Sequence, residues 1–259
     1  MTFSIAACDR RTGMFGVCIS TKFPAVGAVT TFARSGVGAI VTQARANPLL
    51  ACEGLDLLEE GYDAQEVLRM LVASDHEPQR RQLIVVDAGC GVAVHTGTAT
   101  DDYRGHFTGD GYGVAGNLLV SEKTLFSMLE AYETSREEVL PERLVRSLEA
   151  GQAAGGDRRG RQSAALRVVS TEPYPYLDLR VDDHPDPVAE LRRVYEVAKV
   201  ELLPFVDALP TRDNPKVDLG VEIRGALIPA DRALSGPKRA RLHAVDPEAE
   251  PSLEGEQSA

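Results

Sequence analysis

Two apolar-rich runs open the chain, Thr2 to Cys8 and Met14 to Ser20, separated by the polar stretch Asp9-Arg10-Arg11-Thr12-Gly13. The pattern predicts a β-hairpin with a glycine-containing loop. Pairing Cys8 with Met14 across that loop sets Thr2 opposite Ser20, with Thr21 and Lys22 just beyond the first residue. A further strand is predicted over Gly38–Ala44 (GAIVTQA), followed by two helices. In the second helix Val67, Leu68, Leu71 and Val72 share one apolar stripe. Gln82 to Asp87 and Gly91 to Thr96 predict another hairpin, turning at Gly89, and Gly111 to Leu119 a further strand. A helix then starts near Ser121, with Leu125, Met128, Leu129 and Tyr132 on one face. Leu140, Leu144, Val145 and Leu148 mark the next helix, which Gly151, Gly155 and Gly156 are expected to end. Ser163 to Ser170 and Tyr176 to Asp182 read as strands around a proline-containing turn. Asp186 and Pro187 supply an N-cap and a first helical residue for a helix through Val188, Leu191, Val194 and Tyr195.

Hairpins that cluster, with helices in pairs between them, point to antiparallel sheets covered by helices. The expected class is therefore α+β, a four-layer αββα sandwich of two mainly antiparallel sheets. Strict β-α-β alternation, as in a doubly wound fold, does not fit. Residues 1–200 are assigned to this domain and 201–235 to an extension packed on it, with one more strand at Val217 to Ile223. The Pro-, Glu- and Lys/Arg-rich segment 236–259 has the composition of a disordered acidic tail.

Composition narrows the function. With 43% hydrophobic residues, 5% aromatic and no Trp, the core must be built on aliphatic side chains. A net charge of −11 repels phosphate backbones and anionic bilayers, so neither nucleic acid nor a membrane is an expected partner. No run is long enough to span a bilayer, and Asp9-Arg10-Arg11 interrupts the first apolar run before it forms a signal-peptide core. Cys8, Cys18, Cys52 and Cys90 show no C-x-x-C spacing, which predicts reduced thiols and a cytoplasmic protein.

The chemistry begins at Thr2. If Met1 is removed, its hydroxyl and a free α-amine lie on one residue, a nucleophile with its own base. Lys22, placed near that amine by the hairpin, would disfavour its protonated form. Gly116-Asn117, at a strand end, offers a backbone N–H beside a carboxamide, a pair suited to an oxyanion. Asp157-Arg158-Arg159-Gly160-Arg161-Gln162-Ser163 leads from a helix into a strand. Its guanidinium groups beside open backbone suit a substrate carboxylate, although a solvated loop explains them equally. Gly111 to Gly116 matches G-x-G-x-x-G, yet it follows no buried parallel strand and opens no helix, so dinucleotide binding is not expected. The five histidines lack metal-ligand spacing, and the polar cluster Asp182-Asp183-His184-Pro185-Asp186 reads first as a helix cap. Neither a metal nor an organic cofactor is expected.

Taken in order, several stretches resemble a bacterial and archaeal family, "domain of unknown function 1028", of the N-terminal nucleophile (Ntn) hydrolase superfamily. They are Thr2-Phe3-Ser4-Ile5, Phe23 to Gly27, Thr42-Gln43-Ala44 with Asn47-Pro48, Val86-Asp87, His95-Thr96-Gly97, Gly116-Asn117, Gly151 to Gly160, Gln162 to Ala165 and Asp182 to Pro185. The resemblance covers roughly residues 2–197 and implies the αββα sandwich. By analogy with the superfamily it implies Thr2 as nucleophile and Gly116 and Asn117 as oxyanion donors. Asp157, Gln162 and Ser163 would position the α-amine, while Arg158 and Arg159 would meet an acidic group. Ser20, Gln43, His95, Asp183 and His184 complete the expected substrate-binding set. The implied activity is hydrolysis of a small amide or acylated amino acid carrying a carboxylate, by a homo-oligomer. A non-catalytic binding protein that keeps the fold, and a scaffold assembling through sheet edges, are the alternatives.

Overall fold

A computed structural model of the protein describes residues 2–216. The first hairpin is β1 (Thr2–Asp9) and β2 (Met14–Thr21), but its register is one residue away from the expected one. Cys8 pairs with Phe15 and Asp9 with Met14, so Thr2 faces Thr21, and Ser20 faces Phe3. Asp9 accounts for the slip. It belongs to the strand, and its carboxylate accepts the Arg11 N–H and the Thr12 hydroxyl at 3.0 and 2.9 Å, which folds the loop. Because side chains alternate, this single step exchanges Ser20 for Thr21 on the face that carries Thr2.

The chain continues through α1 (Gly27–Thr30), β3 (Thr31–Arg34), β4 (Gly38–Ala44), α2 (Pro48–Glu59) and α3 (Ala64–Ser74). A single 3-10 turn, Pro78–Arg80, leads into β5 (Arg81–Asp87) and β6 (Val92–Thr96). Then come β7 (Gly105–Gly109), β8 (Tyr112–Asn117), α4 (Lys123–Thr134), α5 (Leu140–Ala153), β9 (Ser163–Val169), β10 (Pro175–Val181), α6 (Pro187–Glu201) and α7 (Leu203–Asp207). The expectation lacked α1, β3, β7 and α7, all of five residues or fewer. Strand β7 (GHFTG) carries two glycines and exposes alternate residues at a sheet edge, so it has no apolar run to betray it.

Two antiparallel sheets result, one six-stranded in the order β10-β9-β2-β1-β8-β7 and one four-stranded in the order β3-β4-β5-β6. Three apolar cores follow from the alternation of side chains. Ala6, Val17, Ile19 and Ala115 of the larger sheet meet Ala39, Val41, Ile84 and Val86 of the smaller. Phe3, Ile5 and Leu166 point the other way, against Leu125, Leu144 and Leu191 of α4, α5 and α6. Ile40, Leu83 and Val85 of the smaller sheet pack on Leu55, Val67 and Leu71 of α2 and α3.

Three further expectations are corrected. Helix α5 runs through Gly151 to Ala153, and only Gly155 and Gly156 (φ 120° and 58°) end it. A Cβ at Gly151 would stand 2.6 Å from Met128 Cγ and 3.2 Å from Phe3 Cδ2, so this glycine serves close packing. Asp186 occupies the N-cap position of α6, but its carboxylate pairs with Arg161 at 3.1 Å and caps nothing. Cys8 and Cys90 form a disulfide across 82 residues, joining the end of β1 to the β5–β6 turn, whereas Cys18 and Cys52 are free. Their spacing in sequence carried no sign that these two segments meet. Of the proposed extension, α7 is described and buries Val206. The strand expected at 217–223 and the segment 236–259 lie outside the described residues. No helix among the described residues is long and apolar enough to cross a membrane.

Candidate active site

Alternation along β1 places Thr2 on the face turned to the smaller sheet, in line with Ser4 and Ala6. The residue is only 6% exposed, and its hydroxyl donates to Thr21 Oγ1 at 3.2 Å. Across the ladder it has Thr21 of β2 on one side and Asn117 of β8 on the other. The Thr2 side chain lines a cleft of about 350 Å³. Thr21 and Gln43 also face this space, Phe23, Val26 and Val29 give it apolar walls, and Arg159 stands against it.

Beneath the cleft runs a buried polar chain that ties the two sheets together. The Ser4 hydroxyl donates to Gln43 Oε1 at 2.7 Å, and Gln43 Nε2 donates to Gln82 Oε1 at 2.7 Å. Asn117 Nδ2 donates to the same Gln82 oxygen at 3.0 Å. Gln82 Nε2 in turn reaches Thr96 Oγ1 at 2.8 Å and the carbonyls of Gly105 and Gly116, both at 3.0 Å. Gln82, with no exposed surface, is thus the hub that fixes Gln43 and Asn117 beside Thr2. Sequence reasoning missed it. A glutamine at the head of the run QLIVVD is a sign only once its neighbours across the second sheet are known.

The loop after α5 supplies the other wall. Asp157 is 4% exposed and accepts the backbone N–H of Lys22 and of Arg159, both at 2.8 Å. It also takes the Arg159 guanidinium at 3.3 Å. Ser163 is fully buried, and its Oγ donates to the Phe23 carbonyl and accepts the Val26 N–H. The Gln162 N–H donates to the Thr21 carbonyl at 3.1 Å. These contacts hold the turn after Thr21 against the cleft.

Thr2, Gln43, Asn117, Asp157, Arg159 and Ser163 are therefore brought together, with Gly116 accepting the Gln82 bond next to Asn117. Others stand apart. Ser20 shares the helix-side face with Phe3 and donates to the Ser163 carbonyl at 3.1 Å. His95 shares its face of β6 with Ala93, against α3, and its Nε2 lies 2.9 Å from the Pro78 carbonyl. Lys22 and Arg158 are exposed and reach this region through backbone bonds. Asp183 is exposed and accepts from Gln162 Nε2 at 3.2 Å, while His184 Nδ1 accepts the Asp186 N–H.

Burial, with the neighbouring His95 charge, holds His106 below the ordinary imidazole value. Its Nδ1 shares a 2.8 Å bond with Thr96 Oγ1 at the far end of the polar chain. Burial also pushes the Cys18 thiol far up, leaving it unreactive. No group of three or more His, Cys, Asp or Glu is placed to hold a metal ion among the described residues.

The sequence profile of the "Family of unknown function (DUF1028)" matches residues 2–191. Among solved structures, the DUF1028 protein SPO2555 from Silicibacter pomeroyi superposes with a TM-score of 0.77 at 27% identity. The alignment covers 85% of this chain and 99% of that one. Anbu (ancestral beta-subunit) from Yersinia bercovieri aligns over 81% of this chain and 98% of its own, at 10% identity and a TM-score of 0.35. A search of curated proteins finds no match.

Proposed function

Because the chain belongs to the DUF1028 family, a family of unknown function, we propose that it is an amidohydrolase of the N-terminal nucleophile type, acting through Thr2 once Met1 has been removed. In this reading the two sheets and their flanking helices are the αββα sandwich of such enzymes, and the substrate is a small carboxylate-bearing amide. The observation that carries it is the Thr2 hydroxyl, at the end of a central strand, opening into a cleft wide enough for a small ligand.

Thr2 Oγ attacks the amide carbonyl carbon. A C–O bond forms, the hydroxyl proton passes to the α-amine, and the π pair moves onto the carbonyl oxygen. An α-amine with a pKa of about 7.7–8 is already close to neutral pH, so it accepts that proton readily. Asn117 Nδ2 keeps a second hydrogen beyond the one it gives to Gln82, and we assign it to the oxyanion with a backbone N–H beside it. Collapse breaks the C–N bond, and the leaving amine takes the proton from the α-ammonium. Water then attacks the acyl-threonine ester, losing its proton to the α-amine, and Thr2 Oγ leaves and is reprotonated. The net change is amide plus water to acid plus amine. No cofactor enters these steps.

Intact mass of the purified protein, before and after a broad amide-directed covalent probe, tests the proposal. The expected result is loss of Met1 and one probe adduct, abolished by Thr2→Ala. A retained Met1 with no adduct overturns it, since an amide nitrogen has no basic lone pair.

A further inference from the structure

A second cavity of about 290 Å³ is lined by Asn117, the β8 neighbour of Thr2, together with Ala44 and Leu118. The strand order β2-β1-β8 places Thr21, in the cleft, on one side of Thr2 and Asn117, in the second cavity, on the other. Ala44 lines both spaces. The two spaces thus lie to either side of Thr2 in the ladder, with Ala44 between them.

The two spaces differ in chemistry. Phe23, Val26, Val29 and Pro48 line the cleft, and Phe23 and Val29 remain 58% and 42% exposed at its side. Such uncovered apolar surface beside a polar centre suits a hydrocarbon group. Arg45, Arg80, Thr100 and Asp101 line the second cavity. Arg80 is held by Glu77 at 3.2 Å. Arg45 has no carboxylate partner among the described residues, so its guanidinium is the cation left for a ligand. Asp101 is the one carboxylate among the lining residues, against the guanidiniums of Arg45 and of Arg80, whose charge Glu77 offsets. Arg159, on the cleft side, is already bonded to Asp157.

We infer that the site takes an N-acyl amino acid, with its apolar acyl chain in the cleft beside Phe23 and Val29 and its carboxylate on Arg45. The assignment moves the anionic end from Arg158 and Arg159 to the opposite side of Thr2. It rests on Thr2 marking the position of the scissile bond.

Titration calorimetry on the full-length Thr2→Ala protein, which binds without turnover, tests the inference with N-hexanoylglycine, N-hexanoylglycinamide and N-acetylglycine. The acid should bind about tenfold tighter than its neutral glycinamide, the return for one charge-assisted bond. It should also bind at least about tenfold tighter than N-acetylglycine, because four methylenes are buried. Adding Arg45→Gln, at an exposed position where the fold tolerates change, should erase the preference for the acid, and adding Arg159→Gln should leave it. Equal binding of acid and glycinamide, a loss that follows Arg159, or no binding of any probe overturns the inference. Turnover of N-hexanoylglycine by the Thr2 protein is read separately. Binding in the expected pattern without turnover keeps this ligand and removes the catalytic reading. Turnover indifferent to Arg45 does the reverse.

Discussion

At the scale of single residues, the site rests on Gln82 as much as on Thr2. One buried carboxamide accepts from two amide donors and shares its two N–H hydrogens among three acceptors across both sheets. Replacing it with leucine leaves those groups buried and unpaired, so Gln82→Leu should cost roughly 3 kcal/mol or more in urea denaturation. A loss below about 1 kcal/mol would mean that the network adds little. His106 closes the same chain and sets a pH dependence. Its folded pKa lies below the ordinary value of 6.5, so on acidification the unfolded chain takes up the proton first. Stability should thus be intact above about pH 6.5 and fall from there toward the lower folded pKa. His106→Gln should flatten that part of the wild-type stability–pH curve. The places of Thr2 and Asn117 at strand ends were legible in the sequence. Gln82 was not, since its partners lie on other strands, and Ser20 was misread because a one-residue slip reverses the face a side chain takes.

At the scale of elements, Gly151 sets two helix rules against each other. In an exposed helix a glycine-to-alanine change gains up to about 1 kcal/mol. Here the added carbon would stand 2.6 Å from Met128 Cγ, where α4, α5 and β1 meet. Gly151→Val should therefore destabilise by about 1–3 kcal/mol through overpacking, measured by thermal or urea unfolding. Helix α3 shows the opposite situation, a terminus whose signals all agree. The Asp63 carboxylate accepts the Glu66 N–H at 2.8 Å, and the Glu66 carboxylate accepts the Asp63 N–H at 3.1 Å. Asp63→Ala should cost about 1 kcal/mol. An unbroken apolar run made β4 readable with its bounds, and an apolar stripe made α3 readable as a helix. The elements missed, β3 and β7 among them, are short and owe their form to neighbours rather than to local pattern.

At the scale of the whole molecule, the order of hairpins and helix pairs carried the α+β class and the two antiparallel sheets, because layered cores demand alternating faces. It could not carry the Cys8–Cys90 bond, which depends on which turn the smaller sheet brings to the end of β1. Cutting a loop of that length should lower stability by about 2–4 kcal/mol, so reduction or Cys90→Ser should lower the unfolding midpoint by several degrees. An unchanged midpoint would show that the apolar packing and the Gln82 network hold the two sheets without it. The bond also has a mechanical consequence. It pins the sheets together at one end of β1, roughly 20 Å along the strand from Thr2 at about 3.3 Å per residue. The opposite end is held differently, by the exchangeable hydrogen bonds of Gln43, Gln82 and Asn117 beside Thr2. The sheets are thus riveted covalently far from the cleft and laced by polar bonds next to it.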